Sequence, residues 1–148
     1  MPLVSHKGAL AIAAVIDVAI NSATSPVTAK ALETRLKLPP RHLESVLRAL
    51  AHDGILKGTR GPGGGYEVAR EQAKITAEDS LSSAGRIEDA HEPLPESELV
   101  VAVVQPTLAV AERYFSAALR EISVADLVRQ ALSVQPSALF RTHEAKLR

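Results

Sequence analysis

Arg60-Gly61-Pro62-Gly63-Gly64-Gly65 constrains this chain more than any other stretch. Four glycines and a proline within six residues cannot carry a helix or an ordinary strand through, so the chain turns here. Ile55-Leu56-Lys57-Gly58-Thr59 before the turn reads as a short strand. Tyr66-Glu67-Val68-Ala69 after it alternates and reads as the returning strand. A two-stranded ribbon of this length is marginal alone in water and needs something to pack against.

The helical segments around it are legible from the 3.6-residue period. Between Lys7 and Ile20, the residues Ala9, Leu10, Ile12, Ala13, Val15, Ile16, Ala19 and Ile20 recur at helical spacing, with Ser5 as N-cap. Residues 21–27 form a polar loop, and Thr28 caps a short helix through about Arg35. Leu36-Lys37-Leu38-Pro39 reads as a tight turn. Pro39-Pro40 is expected to open a third helix, since proline is tolerated in the first helical turn. Leu43, Val46, Leu47, Leu50 and Ala51 make its apolar face, and Gly54 is its C-cap candidate. Thr76 and Asp79 resemble a capping box. Residues 85–98 are acidic and proline-bearing and read as a linker or mobile loop. Leu99 to Glu121 is helical in pattern, with Pro106 either kinking it or marking its start. Leu108, Ala111, Phe115, Ala118, Leu119 and Ile122 fall on one stripe, and Ser123 to Val128 offers another capped turn. The tail from Gln135 carries little pattern.

The expected fold class is mainly α with a small β-wing. Residues 1–80 would be a winged helix-turn-helix, 81–98 an acidic loop or linker, and 99–148 a long dimerisation helix with a C-terminal segment. A length of 148 residues suits one domain with an extension, and 46% apolar with 23% charged residues is a globular composition. The absence of cysteine excludes disulfides, thiol catalysis and cysteine-held zinc or iron–sulfur sites. No apolar run approaches the roughly 20 residues of a membrane span. Met1 to Lys7 lacks the apolar stretch of a signal peptide. The expected compartment is therefore the cytoplasm, with no membrane partner. The formal net charge of zero conceals an asymmetry. Residues 1–75 carry ten bases against six acids, and residues 76–148 carry seven against eleven. A +4 half beside a −4 half suggests a basic binding region and an acidic, solvating or assembling one.

Helix, short helix, tight turn, helix and ribbon is the order of a winged helix-turn-helix. The second helix of such a pair enters the major groove and presents its first residues to base edges. Here those residues are Arg41, His42, Glu44 and Ser45. Arg forks onto guanine O6 and N7, and Glu accepts from cytosine N4. At the ribbon tip the glycines let the backbone approach DNA closely, and Arg60 suits a narrow minor groove. Thr28 reads first as a cap, a role compatible with a phosphate at the same helix N-terminus.

Four stretches together resemble one bacterial family. They are Ser5-His6-Lys7-Gly8, His42-Leu43-Glu44-Ser45-Val46-Leu47 followed by Leu50, Arg60-Gly61-Pro62-Gly63-Gly64-Gly65-Tyr66, and Ile122-Ser123-Val124-Ala125-Asp126-Leu127-Val128. The chain is similar over about residues 3–130 to the Rrf-two family of winged-helix transcription regulators, with its IscR-, NsrR- and CymR-like members. The resemblance implies a homodimeric DNA-binding protein. It implies DNA contact by Lys7 and by the wing residues Arg60, Gly61, Gly63, Gly64 and Tyr66. It implies a dimer formed through the long helix, with Leu108, Ala111, Phe115, Ala118 and Leu119 at the contact. Family members commonly carry three cysteines for an iron–sulfur cluster ahead of or at the start of that helix. This chain has Glu96 and Ala102 where such cysteines are expected, so it is similar to a cluster-free branch with no cofactor. His42 stands where tyrosine is frequent, and Pro39-Pro40 stiffens the entry to the third helix.

Other chemistries find little footing. His91, Glu92, Glu96 and Glu98 lack metal-ligand spacing and read as a solvated acidic loop. Tyr114 and Phe115 read as packing rather than the wall of an effector pocket. No nucleophile elbow or metal-binding helix motif occurs. Gly65 is followed by Tyr66-Glu67, not by the Lys-Ser or Lys-Thr of a Walker loop. Four aromatic residues disfavour a single-strand stacking platform. The expected function is that of a sequence-specific regulator and not an enzyme. It would be a homodimeric repressor on a pseudo-palindromic double-stranded operator, tuned by a small-molecule or protein effector. The alternative is a winged-helix interaction module that docks a partner enzyme or regulator through its acidic half.

Overall fold

The computed structural model describes residues 4–85 and 93–134. Helix α1 (His6–Asn21) begins where Ser5 Oγ accepts the Gly8 amide at 2.9 Å. Helix α2 (Ala29–Arg35) begins where Thr28 Oγ1 accepts the Ala31 amide at 3.1 Å. The Arg35 guanidinium forks onto the Asp17 carboxylate at 2.9 and 2.8 Å, clamping α2 to α1. Helix α3 (Glu44–His52) ends at Gly54, whose φ of +73° is the left-handed conformation glycine adopts freely. The Ile55 amide bonds the Leu50 carbonyl at 3.0 Å and the Gly54 amide bonds Ala51 at 3.1 Å, which is a Schellman stop.

Strands β1 (Leu56–Thr59) and β2 (Gly65–Val68) pair antiparallel, with Leu56 opposite Val68 and Thr59 opposite Gly65. The ribbon is anchored at its base. Val27, just ahead of α2, exchanges two backbone hydrogen bonds with Tyr66, at 2.9 and 2.7 Å. After a short 3-10 turn (Gln72–Lys74), helix α4 (Ala77–Gly85) opens on a reciprocal cap. The Asp79 amide donates to Thr76 Oγ1 at 3.0 Å, and the Thr76 amide donates to the Asp79 carboxylate at 2.9 Å. Aspartate therefore fills the position where glutamate is usual. Ser123 and Asp126 repeat the device ahead of helix α6 (Val124–Val134). The Ser123 amide, and then its hydroxyl, hold the Asp126 carboxyl below the ordinary carboxylate range.

The core is built from Val15 and Val18 of α1, Leu32 of α2, Leu43, and Val46, Leu47 and Leu50 of α3, with Ile55, Leu56, Ile75 and Val124, all buried. Each such side chain contributes about 1.5–3 kcal/mol through removal from water. Helix α4 runs across residue 80, and the chain returns from the long helix to the core. There the Val124 amide bonds the Ile75 carbonyl at 2.7 Å, and the Ala77 amide bonds Ile122 at 2.8 Å.

Pro106 does not mark the start of the helical run. The chain is helical from Glu98, passes through a π-helical segment (Val100–Val104), and continues as helix α5 (Gln105–Arg120), with Pro106 in the first α-turn. The widened turn lies next to Pro106, which has no amide hydrogen to give to the helix. The Thr107 hydroxyl donates to the Val103 carbonyl at 2.7 Å in the same place. Of the expected acidic loop, residues 86–92 lie outside the described residues, as does the tail from Gln135. Residues 93–97 are irregular and exposed.

Candidate nucleic-acid interface

Pro39 and Pro40 do not open α3, which corrects the expected boundary. A residue ahead of proline is driven out of the helical region, and here Leu38 and Pro39 both precede one. The backbone turns through residues 40–43, with Arg41 left-handed at φ +66°, and α3 starts at Glu44. Arg41 and His42 therefore sit on the turn leading into the helix, while Glu44 and Ser45 occupy its first turn. All but the half-buried Ser45 are exposed.

A left-handed arginine costs roughly 1–2 kcal/mol, so something must hold the turn in place. Glu33 does so. Its side chain, in α2, is buried, and its carboxylate accepts the Leu43 amide at 3.2 Å. Without it one of the orphan amides at the α3 N-terminus would be buried and unsatisfied. Glu33→Ala should accordingly destabilise the protein by about 1–3 kcal/mol. Glu33→Gln, which keeps an acceptor oxygen, should recover most of the loss. The urea midpoint at unchanged m-value measures both.

The N-terminus of α1 lies beside this turn. Lys7 Nζ donates to Ser45 Oγ at 3.4 Å, and the His6 and His42 rings meet edge to face at a centroid distance of 5.8 Å. Lys7, Arg41, His42, Glu44 and Ser45 thus gather around one end of the helix pair. At the ribbon tip Arg60, Gly61 and Gly63 are exposed, and the Gly64 amide closes the turn onto the Gly61 carbonyl at 2.9 Å. Tyr66 is half-buried, joined to Val27 by backbone bonds and lying alongside Gly58. Thr28 is exposed next to Val27, at the base of the wing, and its oxygen serves as the α2 cap. An open groove of about 450 Å³ separates α3 from the wing, with Glu44, Arg48, Thr59, Arg60, Gly65 and Tyr66 among its lining.

Sequence pattern does not single out Glu33 or Arg48. A glutamate in a seven-residue helix looks solvated, and only the fold brings Leu43 to it. Arg48 lies one turn beyond Glu44 on the polar face of α3, and its place in the groove follows from where the wing packs.

The expected dimer residues lie along α5. Leu108, Ala111 and Ala118 are exposed, while Phe115 and Leu119 are half-buried. The apolar surface is wider than that stripe: Leu99 is 67% exposed, Val103 53%, Leu108 48% and Tyr114 76%. Among the described residues, Tyr114 is therefore not part of the core.

A family model described as "Rrf2: Iron-dependent Transcriptional regulator" matches residues 4–130. The chain belongs to the Rrf2 family. Among Rrf2-type relatives, the HTH-type transcriptional regulator IscR of Klebsiella pneumoniae (strain 342) is 33% identical over 86 residues, which are 58% of this chain and 53% of that protein. IscR of Escherichia coli O1:K1 / APEC is 31% identical over the same shares. The chain spans about half the length of the curated relatives it matches. Among solved structures, T. potens IscR superposes with a TM-score of 0.69 at 27% identity, covering 89% of this chain and 90% of that one. CymR (YrzC) of B. subtilis gives 0.64 at 24% identity, covering 86% and 96%, a likeness of fold alone.

An iron–sulfur cluster needs thiolate donors. With no cysteine in 148 residues, the thiolates that hold an iron–sulfur cluster are not supplied by this chain. Glu96 and Ala102 are both exposed, and Ala102 has no donor atom. Among the described residues no group of three or more His, Asp or Glu is placed to hold a metal ion. The residues present do not fit a cysteine-held cluster. No helix among the described residues is long and apolar enough to cross a membrane.

Proposed function

We propose that this chain is a cytoplasmic, homodimeric regulator that represses transcription by binding a pseudo-palindromic operator, and that it works without an iron–sulfur cluster. The observation that carries the reading is the placement of three elements about α3: Lys7 bonds Ser45 in its first turn, and Glu44 and Arg60 line the groove between α3 and the wing. The three are the α1 N-terminus with Lys7, the entry and first turn of α3 with Arg41 to Ser45, and the wing tip with Arg60. The first turn of α3 meets base edges in the major groove, and Arg41 reaches them from the preceding turn. Arg60 enters the neighbouring minor groove. Lys7 and the amides behind Thr28 meet phosphates. The exposed apolar face of residues 99–114 pairs with its copy, so that two such units face successive major grooves. A small molecule or protein tunes the affinity by favouring one dimer geometry.

Two substitutions separate the assigned roles, read by titration against fragments of the protein's own promoter region. Arg41→Ala should flatten the preference among single-base operator variants by about 1–3 kcal/mol at one position. Lys7→Ala should weaken all duplexes about equally and lower the salt slope. Uniform losses from both would remove the base-reading role of Arg41. Wild-type binding to every promoter fragment no better than to random DNA would contradict the regulator reading itself.

A further inference from the structure

The helix wall of the groove between α3 and the wing carries a cation, Arg48. If α3 lies in a major groove and the wing tip in the adjacent minor groove, one sugar–phosphate strand separates those two grooves on the duplex. That strand must cross the space between α3 and the wing. In this chain that space is the open groove of about 450 Å³ whose helix wall carries Arg48 and whose wing wall carries Thr59 and Arg60. Arg48 is exposed, so its side chain is available to the strand. It lies four residues after Glu44, which lines the same groove and brings a negative charge towards it. A carboxylate alone there would repel the backbone. A guanidinium one turn along both offsets that charge and offers a fork that matches phosphate oxygens.

We infer that Arg48 holds the DNA backbone phosphate that passes between α3 and the wing, making it a sequence-independent clamp beside the base-reading residues. This role rests on the DNA-binding reading of the face, but it makes a separate demand. A phosphate clamp acts on any duplex, whatever its sequence.

The experiment is a salt titration of the full chain with two duplexes, the selected operator and a random sequence of equal length. Arg48→Ala, Arg48→Lys and Lys74→Ala are compared with wild type. Lys74 is an exposed lysine near the other end of α1, where the Gln72 side chain donates its Nε2 hydrogen to the Ala19 carbonyl, so it controls for loss of net charge. Two arginines per dimer should lower the slope of log affinity against log salt by about 1.8 for Arg48→Ala. The affinity gap to wild type should then narrow about twelvefold between roughly 50 and 200 mM salt, on both duplexes. Arg48→Lys should keep most of the slope, and Lys74→Ala should keep all of it. Equal slopes for Arg48→Ala and wild type would overturn the clamp while leaving the regulator reading intact. So would a loss confined to one base pair of the operator, with random DNA unaffected. Wild type that binds both duplexes alike would overturn the regulator reading, and the Arg48 comparison on random DNA would still decide the clamp.

Discussion

Leu108→Asp should convert the proposed dimer to a monomer and lower operator affinity by about 10²–10⁴-fold, the span typical of losing a linked second site. Leu108 is 48% exposed on α5 and belongs to an apolar surface that also holds Leu99, Val103 and Tyr114. Scattered apolar residues on a surface need no explanation, but so many large ones exposed along one helical segment are a mark of an interaction site. In the proposed dimer a carboxylate on this surface would have to be desolvated against apolar side chains of the second copy, which disfavours the contact. The monomer should keep its fold, because Leu108 is not among the core side chains. Sedimentation equilibrium reads the mass, and a thermal melt reads the fold. Persistence of a dimer with wild-type operator affinity would place the contact elsewhere on the chain.

Gly65→Ala should destabilise the protein by roughly 3 kcal/mol, lowering Tm by about 10 °C at this chain length. Operator binding should fall with it. Gly65 has φ +148°, a conformation that L side chains rarely adopt. A Cβ there would stand 2.5 Å from the Val27 carbonyl oxygen and 2.7 Å from its carbonyl carbon. Those are backbone atoms, and Val27 cannot withdraw without breaking its two bonds to Tyr66. The substitution therefore either strains the turn or detaches the wing from α2, and Arg60 loses its aim in both cases. A melt within about 2 °C of wild type, together with unchanged operator affinity, would show that the wing is not held at this point.

The features legible in the sequence were those whose chemistry is local. Ser5, Thr28, Gly54 and the Thr76–Asp79 and Ser123–Asp126 pairs act within a few residues of themselves, so capping and turn rules find them. The wing was legible because glycines and proline in fixed order admit few backbones. The start of α3 was not. Its boundary depends on two proline effects acting together and on Glu33, ten residues away, reaching the Leu43 amide. The return of Val124 to the core and the place of Arg48 in the groove also come from tertiary packing, which periodicity does not carry. Pro106 was ambiguous because a neighbouring π-turn can absorb a missing donor, and sequence pattern has no signal for that turn. Net charge was uninformative as a sum. Resolved along the chain, it places Lys7, Arg41, Arg48 and Arg60 in the basic half, the half that builds the proposed DNA face.

The most direct test of DNA-reading by a symmetric dimer is selection of bound duplexes from a random pool, using the full chain at moderate salt. The predicted result is enrichment of a pseudo-palindrome whose half-sites are spaced by about 10–10.5 bp or a multiple of it, with Arg41→Ala relaxing the same positions in each half. A pool that stays random after repeated selection, while the chain remains folded, would contradict it.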